Sequence, residues 1–97
     1  MAITGKPCVY MLRCGDGSLY TGWTNDFKQR LKNHQSGKGG KYTRSRLPVE
    51  AVYLEFLEDK SAALKREAAI KKMKPEAKRA LIDSDSNMLA EALTDLQ

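Results

Sequence analysis

The sequence predicts an α+β domain: a three-stranded antiparallel sheet flanked by helices, in the order β-β-α-β-α-α with an extra C-terminal helix. Three observations carry that reading. Residues 8–22 have the apolar–turn–apolar pattern of a hairpin. Residues 49–57 alternate like a further strand. The remaining segments carry apolar residues at helical spacing. With 97 residues the chain is long enough for one compact core and too short for two.

Cys8-Val9-Tyr10-Met11-Leu12-Arg13-Cys14 reads as the first strand, being apolar, aromatic and β-branched. Gly15-Asp16-Gly17-Ser18 is a turn, since glycine accepts positive φ and Asp closes local hydrogen bonds. Leu19-Tyr20-Thr21-Gly22 returns beside the first strand. Thr24 or Asn25 then caps a helix running to residue 35, with Asp26 in its first turn and Phe27 and Leu31 on its buried side. Residues 37–48 read as a glycine-rich basic loop closed by Pro48, and residues 49–57 as a strand with Val52, Leu54 and Phe56 on one face. Ser61 is placed to cap a helix over 62–73. Pro75 stops that helix and opens a shorter one ending at Ile82. Leu89, Leu93 and Leu96 give the last segment, 87–96, helical spacing. Residues 1–83 thus form the domain and 84–97 an acidic extension.

Charged residues at 30% and hydrophobic ones at 41% suit a soluble globular protein. No apolar run approaches a membrane span, and Met1 to Pro7 lacks the apolar stretch of a signal peptide, so the expected location is the cytoplasm with no membrane partner. Cys8 and Cys14 lie six apart, roughly 20 Å in one extended strand, too far for a disulfide. The expectation is two free, buried thiols and no zinc site.

The net charge of +5 is unevenly spread. Residues 27–46 hold seven Lys or Arg and no acid, and residues 60–79 hold eight bases against two acids. Residues 47–59 and 80–97 are purely acidic among their charged groups, with four acids each. Such segregation can build a positive face that attracts a polyanion, or simply two solvated helix faces.

The polar residues a purely structural account needs least are Tyr10 and Tyr20, on the two strands of one hairpin, and Arg30, His34 and Glu67 on the helices. Arg30 and His34 are four apart and share a helix face. Glu67 falls within the apolar stripe of its helix, near Ala63, Leu64 and Ile70. An inward carboxylate there calls for compensation by a cation or by a base such as Lys71. Each residue also has an ordinary role available: strand tyrosines pack in cores, and helix charges sit in solvent.

Taken together the pattern resembles the GIY-YIG nuclease superfamily, and within it the small stand-alone bacterial members. Val9-Tyr10 followed by Tyr20-Thr21-Gly22 is similar to the paired signature, Arg30 falls at the family's helix arginine and Glu67 at its metal-binding glutamate. Arg30-Leu31-Lys32-Asn33-His34 and Ser36-Gly37-Lys38-Gly39-Gly40-Lys41-Tyr42-Thr43-Arg44 extend the resemblance, which covers about residues 7–82. Cys8 stands where the first triad usually has glycine, Val9 and Thr21 where isoleucine is usual, Trp23 where repair-type members carry lysine, and His34 where several members have tyrosine.

The resemblance implies phosphodiester hydrolysis with one Mg²⁺ or Mn²⁺ held by Glu67, a phosphate clamp from Arg30, and Tyr20 as base. Tyr10 would orient the nucleophile, and His34 would relay a proton or hold a phosphate. Lys38, Lys41, Arg44 and Arg46 of the basic loop would meet backbone phosphates without reading sequence. The implied partner is nucleic acid, DNA first and RNA as the second polymer of the same chemistry, taken by a monomer or weak dimer. Two other readings compete: a non-catalytic nucleic-acid-binding module of the same fold, and a protein-interaction module docking through Leu89 to Leu96.

Overall fold

A computed structural model describes residues 5–95, so Leu96 of the last helical pattern lies outside the described residues. Strands β1 (Cys8–Arg13), β2 (Leu19–Thr24) and β3 (Glu50–Phe56) form one antiparallel sheet in the order β2-β1-β3. Helices are α1 (Phe27–Gln35), α2 (Lys41–Arg44), α3 (Lys60–Lys71), α4 (Pro75–Ile82) and α5 (Leu89–Asp95).

β1 runs through the middle of the sheet and is buried on both faces. Because side chains alternate along a strand, Cys8, Tyr10 and Leu12 face one way and Val9 and Met11 the other. The first set packs with Phe27, Val49, Leu54 and Ala92, and with Leu31 and Leu89 at its edge, so α1 and α5 cover this face. The second set packs with Tyr53, Ala63 and Ile70 beneath α3, with Leu81 and Ile82 of α4 alongside. The result is helices on both faces of a three-stranded sheet.

Register decides where the chemistry lies. Tyr10 pairs with Gly22 and Leu12 with Tyr20, so both hairpin tyrosines fall on the α1 face. Gly17 turns the hairpin with a φ of 85°, a conformation that glycine adopts without penalty. The β1–β3 ladder slips between Met11 and Leu12: Met11 opposes Tyr53, but Leu12 opposes Ala51. Val52 is the extra residue of this bulge. It therefore leaves the face of Leu54 and Phe56, on which strict alternation had put it, and packs under α3 and α4.

Three other elements differ from the sequence reading. The cap of α1 is Asp26, whose carboxylate accepts from the Gln29 N–H at 3.2 Å, while Thr24 Oγ1 accepts from the Asp26 N–H at 3.0 Å. The cap of α3 is Asp59, accepting from the Ala62 N–H at 2.8 Å, which leaves Ser61 inside the first turn. Both corrections favour a carboxylate at the helix's positive end. The basic loop is not all loop, since residues 41–44 wind into α2.

α1 ends in a two-bond glycine cap: Gly37, at φ 84°, donates to the His34 carbonyl at 3.2 Å, and Lys38 donates to Asn33 at 2.7 Å. The chain is thereby turned back over α1. Arg46 anchors the returning segment through Asp16 at 3.0 Å. On the far edge, Asn87 plays the part of a missing neighbour strand, its amide donating to the Val52 and Ile82 carbonyls and accepting from the Leu54 N–H. Among the described residues no helix is long and apolar enough to cross a membrane. Cys8 and Cys14 are free and buried, as expected, and burial pushes the Cys8 thiol up to about 12.

Candidate active site

β1, β2, α1 and α3 converge at the edge of the sheet on an open pocket of about 270 Å³. It is lined by Tyr10, Tyr20, Gly22, Trp23, Arg30 and Glu67, with Thr24 and Asn25 at its rim. Four of the five residues picked out for chemistry thus meet in one place. The fifth, His34, stands directly behind them, its ring 5.7 Å from Tyr10 and 5.2 Å from Tyr20.

Tyr10 and Tyr20 arrive from adjacent strands with ring centroids 6.3 Å apart. The approach depends on Gly22. A Cβ there would lie 2.6 Å from the Tyr10 hydroxyl and 3.2 Å from the Tyr20 ring, so a side chain at this position would displace one phenol or the other. Tyr10 is 1% exposed, and its hydroxyl stands 2.9 Å from His34 Nε2. Burial first, then the neighbouring Tyr20, push its pKa well above the phenol range against the opposing pull of Arg30, so Tyr10 is a neutral hydrogen-bonding group.

His34 is as fully enclosed as Tyr10. Its Nδ1 lies 2.8 Å from Thr43 Oγ1, on α2. Burial, and then the charge of Arg30, lower its pKa, so the imidazole is neutral near pH 7. The ordinary role of a helix charge sitting in solvent therefore does not apply to this residue. Gly39 makes the packing possible: a Cβ at this position would sit 2.1 Å from His34 Nδ1.

Arg30 is exposed, one turn before His34 on the same face of α1. Glu67 reaches the pocket from α3, around the open edge of β2, and its side chain is only 18% exposed. Oε2 pairs with Lys71 Nζ at 3.4 Å, one turn along the helix. Among the described residues no three His, Cys, Asp or Glu side chains gather into a metal-binding cluster. A single sheltered carboxylate fits a hard, hydrated divalent cation that draws its other ligands from water and a phosphate, as Mg²⁺ commonly does.

The basic segment divides into two roles. Lys38, Lys41 and Arg44 are exposed on and just before α2. Arg46 is engaged within the molecule: besides Asp16 it donates to the Tyr42 carbonyl at 3.0 Å, and its guanidinium lies 3.9 Å over the Tyr42 ring. Tyr42 in turn packs against Tyr20 at 5.7 Å. Thr43, Gly39 and Tyr42 were not among the residues singled out for chemistry. Only the run Ser36 to Arg44 within the resemblance touched them, because a single turn four residues long with Thr43 alone buried has no periodicity to read.

Residues 6–79 match the GIY-YIG catalytic domain. The chain is 56% identical over 77 residues to a UPF0213 protein of Streptococcus sanguinis (strain SK36), covering 79% of this chain and 88% of that one. It is 54% identical over 78 residues to UPF0213 protein CPE1444 of Clostridium perfringens (strain 13 / Type A), covering 80% and 84%. Among solved structures it is similar to the solution NMR structure of UPF0213 protein BH0048 from Bacillus halodurans. The TM-score there is 0.55 at 40% identity, with 84% of this chain and 86% of that one covered. It is similar also to protein EF2693 from E. faecalis, with a TM-score of 0.59 at 39% identity and coverage of 86% and 88%.

Proposed function

The chain belongs to the GIY-YIG family, and from that premise we propose that it is a metal-dependent endonuclease hydrolysing phosphodiester bonds in DNA, or in RNA by the same chemistry. The observation that carries the reading is the convergence of two tyrosines, an arginine and a sheltered glutamate on one open pocket, from four separate elements. Packing alone does not call for these polar groups at one sheet edge.

Tyr20 accepts the proton of the attacking water, and Arg30 holds a phosphate oxygen as negative charge grows. Tyr10 donates a hydrogen bond to the reacting groups, with His34 holding its phenol from behind. Glu67 would hold the divalent cation, which when bound would supply Lewis-acid stabilisation of the growing charge. Lys38, Lys41 and Arg44 steady the backbone through phosphates, so binding is salt-sensitive and carries little sequence preference. Arg46 supports the same surface by fixing Tyr42 and α2.

The test is a panel of labelled single-stranded, duplex, flap and branched DNA and RNA, incubated with Mg²⁺, Mn²⁺ or EDTA. Wild type is expected to cut with metal and not with EDTA, and Glu67→Ala to be inactive while still folded. Binding across the panel with no cutting would replace the hydrolase by a non-catalytic binding module of the same fold.

A further inference from the structure

The structure assigns Thr43 as the positioning residue that fixes which nitrogen of His34 carries the proton, and thereby aims the Tyr10 hydroxyl into the pocket. Its catalytic consequence rests on the hydrolytic reading above; its geometry does not.

Thr43 is 1% exposed on α2, out of reach of bulk water. Among the described residues its hydroxyl has one hydrogen-bond partner, His34 Nδ1 at 2.8 Å. A buried hydroxyl must place its hydrogen on an acceptor or lose the bond it made to water. If His34 were protonated at Nδ1, that N–H would donate to Oγ1 and the Thr43 hydrogen would be left buried with no acceptor. Both groups are satisfied only when Thr43 donates and Nδ1 accepts. A neutral imidazole has one proton, which then resides on Nε2.

That choice propagates one group further. Nε2–H donates to the Tyr10 oxygen across 2.9 Å. The phenol's own hydrogen is then not spent on His34 and turns toward the pocket where Tyr20, Arg30 and Glu67 meet. In the opposite tautomer Tyr10 would donate backwards to Nε2 and offer the pocket only lone pairs, the wrong polarity for a phosphate oxygen or a phenolate. Gly39 keeps the contact tight, since any Cβ there would push into the imidazole. Thr43 also lies between Lys41 and Arg44 in a helix of four residues, so the segment that faces the substrate backbone outward sets the proton order inward.

His34 is the chain's only histidine, so ¹⁵N correlation spectra of the untagged protein report a single imidazole. Wild type and Thr43→Ser should show a proton on Nε2 and a hydrogen-bonded lone pair on Nδ1. Thr43→Val should lose the hydrogen-bond shift at Nδ1 and populate both tautomers. Cleavage by Thr43→Val should fall roughly 10- to 100-fold in kcat with KM little changed, and Thr43→Ser should restore it. A proton on Nδ1 in wild type overturns the inference even if no variant folds, and so does an unchanged imidazole spectrum in folded Thr43→Val. The predicted spectra in a protein that cuts nothing would uphold the proton order and count against the hydrolytic reading alone.

Discussion

Tyr10 and Tyr53 are both buried on neighbouring strands of one sheet, yet they face opposite sides and live in opposite chemical conditions. The Tyr53 hydroxyl is saturated: it donates to Glu55 at 2.5 Å and meets Ser86 at 3.1 Å, while Arg66 holds the same Glu55 oxygen at 3.0 Å. That network ties β3, α3 and the 84–86 segment together and leaves nothing for a ligand. The Tyr10 hydroxyl has His34 behind it and an open pocket before it. A buried tyrosine is therefore structural or chemical according to whether its hydrogen-bonding capacity is consumed by the protein, which neither sequence position nor burial alone reveals.

Swapping each tyrosine for phenylalanine should separate the two conditions. Tyr10→Phe should slow cleavage by on the order of 100-fold and also lower stability by about 1–3 kcal/mol, since His34 keeps its Thr43 partner at Nδ1 but its buried Nε2–H loses its acceptor. Tyr53→Phe should leave the rate constant unchanged and lower stability by about 1–2 kcal/mol in denaturant melts, by removing hydrogen bonds from a partly buried network. Equal effects of both variants on both readouts would erase the distinction.

Gly22→Ala sharpens the same contrast from the backbone side. Its Cβ would meet Tyr10 at 2.6 Å, and no comparable crowding touches Tyr53. The expected result is a loss of at least roughly tenfold in cleavage, from displacement of the phenols. A fully active Gly22→Ala would mean that the phenol positions do not matter.

A smaller effect follows from His34. Its pKa in the fold lies below the ordinary 6.5, through burial first and Arg30 second, so protons prefer the unfolded chain. Stability attributable to this residue is intact above about pH 6.5 and is lost as pH falls through that value toward the folded pKa. Thermal melts at about pH 7.5 and about pH 5.5 should differ more for wild type than for His34→Gln. Equal pH dependence in the two proteins would argue that His34 is not buried as a neutral group.

Much of this was legible in the chain. The hairpin could be read because Gly15-Asp16-Gly17-Ser18 separates two apolar runs, and the sheltered side of Glu67 could be read from its spacing to Ala63 and Ile70, although Leu64 of the same expected stripe is exposed. The long helices were placed to within two residues, their ends blurred because Asp26 and Asp59 outcompeted nearby capping candidates. Val52 escaped because a bulge breaks alternation without changing composition. Thr43 escaped for a different reason: its partner lies nine positions away across a glycine-capped reversal, a contact made by the path of the chain rather than by periodicity. Arg46 looked like its basic neighbours, and only the fold ties it to Asp16 and Tyr42 on the surface.

The most direct measurement is the single-turnover cleavage rate of Tyr20→Phe beside wild type with saturating Mg²⁺, on whichever panel substrate wild type cuts fastest. Nucleic-acid affinity would be measured on the same preparations. A fall of at least about 100-fold in rate with affinity preserved is the predicted result for loss of a positioned base. A Tyr20→Phe protein that cuts at the wild-type rate would contradict the account at its centre.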